Sequence, residues 1–190
     1  MKTIFVHIPK TGGRSVREAL VGAVNTMHLT LSEITNNHII DADTFVFSVV
    51  RNPYTRAYSY YQYFKETKKT EITFLELLNY IKSKPAPGTL IGKNPTIADR
   101  SVGIFTKDQT HFLLDSDGKI NLNKIYRFEN ISEIETDFNI ILPKVGPGNY
   151  TLADYKADYD RVIVRELVKE IYSRDFTNFG YSVNFDKSLE

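Results

Sequence analysis

Lys10 lies in the stretch His7-Ile8-Pro9-Lys10-Thr11-Gly12-Gly13-Arg14-Ser15, between a short apolar segment, Thr3–Val6, and a segment with helical periodicity. A strand, a Gly-rich turn and a helix in that order build an anion site. Glycine lets the backbone turn tightly and present its N–H groups. The helix start adds donors and the positive end of its dipole. Lys10 contributes a mobile cation, and Thr11 and Ser15 contribute hydroxyls. A phosphate or sulfate ester suits this set. In the nucleotide-triphosphate loop the lysine follows the last glycine and precedes Ser or Thr. Here Lys10 precedes Gly12 and Gly13, and Gly92-Lys93 runs into Asn94, so an ATP or GTP loop is a poor fit.

A second cation follows another strand. Thr44–Val50 is a nearly continuous apolar run, the pattern of a central strand buried on both faces, and Arg51 comes directly after it. Its planar fork of donors suits a phosphate. Asn52 and Pro53 read as the cap and first residue of a helix running through about Lys65. Tyr54, Ala57, Tyr58 and Tyr61 form its apolar stripe. Ser59 lies off that stripe and offers a hydroxyl. Tyr58, Tyr60, Tyr61 and Tyr63 either stack on a sugar ring or pack in the core, and packing is the simpler reading.

These residues need elements to hold them. The repeat Val16, Ala19, Leu20, Ala23, Val24 predicts a helix over Arg14–Val24. A short helix is expected from Ser32, a helix over Ile72–Ile81, a turn at Asp115–Gly118, a strand over Lys124–Phe128, and a helix over Ile131–Phe138. Gly103–Leu114 is ambiguous. Asp160–Phe176 reads as one last helix, with Ile163, Leu167, Ile171 and Tyr172 on one face. Ser83–Asn94 and Pro143–Asn149 read as Gly/Pro loops, the first a natural place for acceptor recognition. Alternating strands and helices predict an α/β fold with a central, mainly parallel sheet flanked by helices. Ligands of such sheets bind beyond the carboxyl ends of the strands, so Lys10 and Arg51 are expected to face one crevice.

With 190 residues, the chain is expected to be a single domain spanning 1–190. A net charge of +1 confines any anion site to a local patch and argues against nonspecific nucleic-acid binding. The absence of cysteine excludes disulfides, thiolate catalysis and cysteine-held metals. No apolar run reaches the ~20 residues of a membrane span. The N-terminus enters its strand at once, leaving no room for a signal peptide, so a cytoplasmic location is the expectation.

Taken together, the two cation segments resemble the carbohydrate sulfotransferases, in particular the heparan and uronyl 2-O-sulfotransferases. His7–Ser15 is similar to their 5′-phosphosulfate loop, and Arg51-Asn-Pro-Tyr-Thr-Arg-Ala-Tyr-Ser59 to their 3′-phosphate motif. Gln109, Arg127–Asn130 and Asp175–Tyr181 extend the likeness over nearly the whole chain. The resemblance implies a P-loop-like three-layer fold. It also implies 3′-phosphoadenosine 5′-phosphosulfate as donor, with adenosine 3′,5′-bisphosphate as product and no metal. Lys10, Thr11, Gly12, Gly13, Arg14 and Ser15 then hold the 5′ side, and Arg51 and Ser59 the 3′-phosphate. Lys10 also offsets charge on the bridging oxygen. Arg14 stands where the family commonly has a small hydroxyl residue. The implied acceptor is a glycan or another small hydroxylated molecule.

Sulfuryl transfer to a hydroxyl needs a base. His7, His38 and His111 read as packing or surface residues. His28, in His28-Leu-Thr-Leu-Ser-Glu33, resembles the segment carrying the catalytic histidine of the uronyl 2-O-sulfotransferases. Two other readings of the chain are a nucleotide-kinase-like phosphoryl transferase and a non-catalytic nucleotide-binding module.

Overall fold

Strands β1 (Thr3–Val6), β2 (Val24–Asn25), β3 (Phe45–Val50) and β4 (Lys124–Arg127) form a sheet in the order β2-β1-β3-β4. All three pairings are parallel, with Val6 opposite Ser48 and Val50 opposite Arg127. The computed structural model describes residues 2–37, 40–68, 71–83, 104, 106–145 and 150–188. The chain divides into two compact units, Met1–Arg51 with Gln109–Pro147 and Asn52–Asp108 with Gly148–Glu190. The sheet belongs to the first.

In that unit, Phe5, Phe47, Val49 and Tyr126 on one sheet face pack with Val16 of helix α1 (Gly13–Ala19) and Ile134 of a later helix, Ser132–Phe138. Ile4, Val6, Val46, Ser48 and Val50, on the alternate face, are also buried. β3 is thus covered on both sides, as its unbroken apolar run predicts. Helix α2 (Leu31–Asn37) opens on a capping box. The Thr30 hydroxyl accepts from the Glu33 amide, and the Glu33 carboxylate accepts from the Thr30 amide at 2.7 Å.

The first helix is shorter than its apolar spacing suggests. It ends at Ala19, and Val24 pairs with Ile4 as a strand residue. Leu20 leaves the helical region at φ −99°, ψ 66°, and Gly22 follows. A β-branched residue gains more from a parallel ladder here than from one more helical turn.

The second unit is helical: α3 (Pro53–Lys68), α4 (Phe74–Ser83), then, after the first unit's α5 (Gln109–Leu113) and α6 (Ser132–Phe138), α7 (Leu152–Tyr159), α8 (Val162–Ile171) and α9 (Ser173–Phe179). α3 begins as expected, with Asn52 Oδ1 accepting from the Tyr54 amide at 2.9 Å. The core here is rich in tyrosine: Tyr54, Tyr58, Tyr60, Tyr61, Tyr159 and Tyr172 are all buried among Phe64, Phe74 and Phe176. The α3 tyrosines therefore serve packing. Tyr159 donates to the Tyr54 carbonyl and Tyr54 to the Val183 carbonyl, both at 2.7 Å. Burial pushes the Tyr54 hydroxyl up to about 12 and holds that of Tyr159 well above its ordinary value.

The expected helix over Asp160–Phe176 is two helices, broken at Tyr172 with φ −112°, ψ 27°. Its inward face is Val164, Leu167 and Val168, while Ile163 is 49% exposed. α7 is unanticipated and starts on its own capping box, Thr151 with Asp154. Beyond Ser83, the expected recognition loop lies outside the described residues, as do His38 and residues 146–149. Among the described residues no helix is long and apolar enough to cross a membrane.

Candidate functional site

The Lys10 loop leaves the carboxyl end of β1 and is closed by its own polar groups. The Thr11 hydroxyl, fully buried, donates to the Ile8 carbonyl at 2.9 Å. The amides of Ser15 and Val16 return to the Gly12 carbonyl at 3.0 and 3.4 Å. Two of the backbone donors expected to face an anion are therefore engaged within the loop. Lys10 is half-buried, Arg14 exposed and Ser15 half-buried.

Both glycines answer to packing. Gly12 has φ +83°, a left-handed conformation costly for other residues. A Cβ there would stand 2.9 Å from the Phe128 ring and 3.0 Å from Ile131. A Cβ on Gly13 would overlap the imidazole of His7. The pair lets the loop lie flush against two aromatic rings, a need that its sequence alone does not reveal.

Arg51 reaches the same loop. Its guanidinium donates from Nη1 to the Lys10 carbonyl at 3.3 Å and lies 4.2 Å from the centroid of Phe128. Phe128 thus touches the Lys10 loop at Gly12 and supports Arg51 on its ring. The Arg51 backbone is fixed by Gln109, fully buried on α5. Gln109 Oε1 accepts from the Arg51 amide and Nε2 donates to its carbonyl, each at 2.8 Å. Two such bonds contribute about 1 kcal/mol apiece. At the strand ends, the Ser48 hydroxyl donates to the Val6 carbonyl at 2.7 Å. Lys10 and Arg51 therefore stand past the ends of adjacent parallel strands, as expected, and Arg51 bonds the Lys10 backbone. Ser59 belongs to the second unit, on α3, where it is 6% exposed.

His28 joins the loop through the backbone. Its Nδ1 lies 2.8 Å from the His7 carbonyl. A carbonyl only accepts, so Nδ1 carries a proton, and in the neutral form of the ring Nε2 is the acceptor. Just before it, the Thr26 hydroxyl accepts from the His7 amide at 3.2 Å and donates to the Phe5 carbonyl at 3.1 Å. His7 is buried, stacked on Phe5 with centroids 5.3 Å apart, and its ring centroid is 4.3 Å from that of His28.

Backbone strain falls on the same residues. The non-glycine residues with positive φ are Lys10 at 68°, Met27 at 47°, His28 at 72° and Asn139 at 51° among those described. Asn139 caps a helix, an ordinary place for it. The others cost roughly 1–3 kcal/mol each. Both residues with an expected chemical role, Lys10 and His28, are among them.

His111 stands apart, on α5 against Phe112 with centroids 5.5 Å apart. A depression of 460 Å³, lined by Ala42, Asp43, Thr44, Phe45 and Asn123, opens at the amino end of β3, away from the Lys10 loop. Asn123 there is occupied in accepting from the Val46 amide at 2.7 Å. Residue type and spacing do not mark Phe128 or Thr26, whose parts depend on contacts far along the chain. No protein-family model matches the chain, and no curated protein sequence matches it.

Proposed function

We propose that the chain is a sulfotransferase with a P-loop-like fold. It moves a sulfuryl group from 3′-phosphoadenosine 5′-phosphosulfate to a hydroxyl of a glycan or another small hydroxylated acceptor. The observation that carries this reading is the junction of Arg51 with the Lys10 loop: a hydrogen bond to the Lys10 carbonyl and a shared wall at Phe128. Two cations past adjacent strand ends fit a donor with an anionic group at each end of its nucleoside.

Lys10 carries the ammonium for the bridging oxygen, where charge grows as the bond to sulfur breaks. Arg51 offers its fork of donors to the 3′-phosphate. His28, protonated on Nδ1, accepts the acceptor's hydroxyl proton at Nε2. The bond from the acceptor oxygen to sulfur forms, the bond from sulfur to the bridging oxygen breaks, and adenosine 3′,5′-bisphosphate leaves. Positive φ at Lys10 and His28 supports these roles, since strain held by the surroundings clusters at working residues.

The test is calorimetric titration with adenosine 3′,5′-bisphosphate and with ATP–magnesium, using wild type, Lys10→Gln, Arg51→Ala and Ser59→Ala. Selective binding of the bisphosphate, weakened at least tenfold in Lys10→Gln and Arg51→Ala, is expected from the loss of one charge-assisted bond. Equal or tighter binding of ATP–magnesium would move the chain to phosphoryl transfer. Binding of neither would end the nucleotide reading.

A further inference from the structure

We infer that the imidazole of His7 is a positioning group that couples the Lys10 loop to His28, with Gly13 as the gap that admits it. The inference rests on the proposed role of His28 as base, while the coupling itself is a property of the resting protein.

His7 is 6% exposed, and its ring is held on three sides. Phe5 stacks against it at 5.3 Å with planes 20° apart. The His28 ring meets it at 4.3 Å with planes 50° apart. Gly13, the first residue of α1, faces it so closely that a methyl group would overlap Cδ2 and Nε2. The backbone of His7 is equally committed, its amide to Thr26 and its carbonyl to His28 Nδ1. The His7 ring therefore touches both the start of the helix behind Lys10 and the ring of the candidate base, and it packs beside the His7 carbonyl that receives His28 Nδ1. A shift of the loop at Gly13 pushes the His7 ring toward His28. In a packed interior such a push moves the neighbour, since no slack absorbs it.

A purely structural His7 would fill volume without governing His28. Nitrogen-15 NMR of the histidine rings separates the two cases without donor or acceptor. The spectra compare wild type, His7→Phe, His7→Ala and Gly13→Ala, with thermal unfolding as the check on folding. In wild type His28 is expected as the Nδ1–H tautomer, and His7→Phe, which keeps a flat ring in place, retains it. His7→Ala and Gly13→Ala are expected to lose the Nδ1–H signal in favour of the Nε2–H form that leads in an unrestrained imidazole. Wild type with His28 in the Nε2–H form overturns the inference, and so does a folded His7→Ala or Gly13→Ala that keeps Nδ1–H. Should Gly13→Ala not fold, His7→Ala decides, because it opens space. Should neither fold, wild type and His7→Phe decide: loss of Nδ1–H in a folded His7→Phe also overturns it. Bisphosphate titration on the same samples separates the two proposals: no binding overturns the function above and leaves the ring spectra readable.

Discussion

The guanidinium carbon of Arg51 lies 4.2 Å from the centroid of the Phe128 ring, the same ring that a side chain at Gly12 would strike at 2.9 Å. Three segments distant in sequence thus meet on one aromatic face. The arginine is held from three directions: by this face, by the Lys10 carbonyl and, through its backbone, by Gln109.

If Phe128 preorganises Arg51, replacing its aromatic face should weaken binding with little loss of fold. Phe128→Leu keeps an apolar body for Gly12 and Ile131 but removes the ring. A partly desolvated cation–π contact contributes about 1–2 kcal/mol, so affinity for adenosine 3′,5′-bisphosphate should fall roughly fivefold to thirtyfold. Phe128→Tyr should keep it. Calorimetry measures both, and equal affinity in wild type and Phe128→Leu would remove the ring from the account.

Positive φ at Lys10 and His28 separates stability from activity. Glycine relieves left-handed strain, which costs an L-residue roughly 1–2 kcal/mol, although its added unfolded-state freedom returns part of that. Lys10→Gly and His28→Gly should therefore unfold at or above the wild-type urea midpoint, while Lys10→Ala and His28→Ala should gain nothing. Lys10→Gly should nonetheless lose nucleotide affinity, and His28→Gly should lose turnover with affinity kept. Lower midpoints for both glycine variants than for their alanine counterparts would contradict the strain argument.

Three helices start on the same device: Thr30 with Glu33, Thr73 with Glu76, and Thr151 with Asp154. In each the carboxyl lies below its ordinary value, chiefly because of hydrogen bonds from its threonine. Asp137 is lowered too, first by Lys124 and then by the Tyr126 hydroxyl at 2.6 Å. A carboxylate depressed in the folded state binds fewer protons there than in the unfolded chain, so stability rises with pH through this window. Its contribution is complete above the unfolded values of 4.5 for glutamate and 3.8 for aspartate and is lost as pH falls through the lower folded ones. The urea midpoint should therefore drop between pH 6 and pH 3. The variant Glu33→Gln, Glu76→Gln, Asp154→Asn should flatten that slope, since a neutral amide retains part of the cap without titrating. An unchanged slope would assign acid sensitivity to other groups.

Elements marked by local chemistry were legible in the sequence. The run Phe45–Val50, Asn52-Pro53 as a helix start, the Asp115–Gly118 turn and the strand at Lys124 all follow from residue type and immediate neighbours. Elements decided by tertiary partners were not. Val24 continues a helical stripe on paper, yet Ile4 recruits it into a ladder. Ile163 fits the periodicity of the last helix, yet it is exposed, while Val164 and Val168 join Leu167 and Tyr172 in the core. The capping boxes carry a readable signature in each case, threonine followed three residues later by an acid. Within the candidate site, Lys10 and Arg51 were visible as residue types past strand ends, and His28 through the likeness of its segment to a known family. Phe128, Thr26 and the His7 ring were not, because contacts between residues 12 and 128, 5 and 26, or 7 and 28 leave no periodic trace.

Gly12 and Gly13 both back onto protein rings. A descendant of this chain without the proposed activity would still have these rings against its loop, so a double glycine in a relative attests ancestry rather than activity. Lys10 is the opposite case. Its left-handed backbone, at φ 68°, favours glycine over lysine, so a lysine kept there in relatives points to what its side chain does. Under the proposed function, a survey of relatives should therefore sort active from silent copies by what stands at position 10, with the glycine pair serving only to align them.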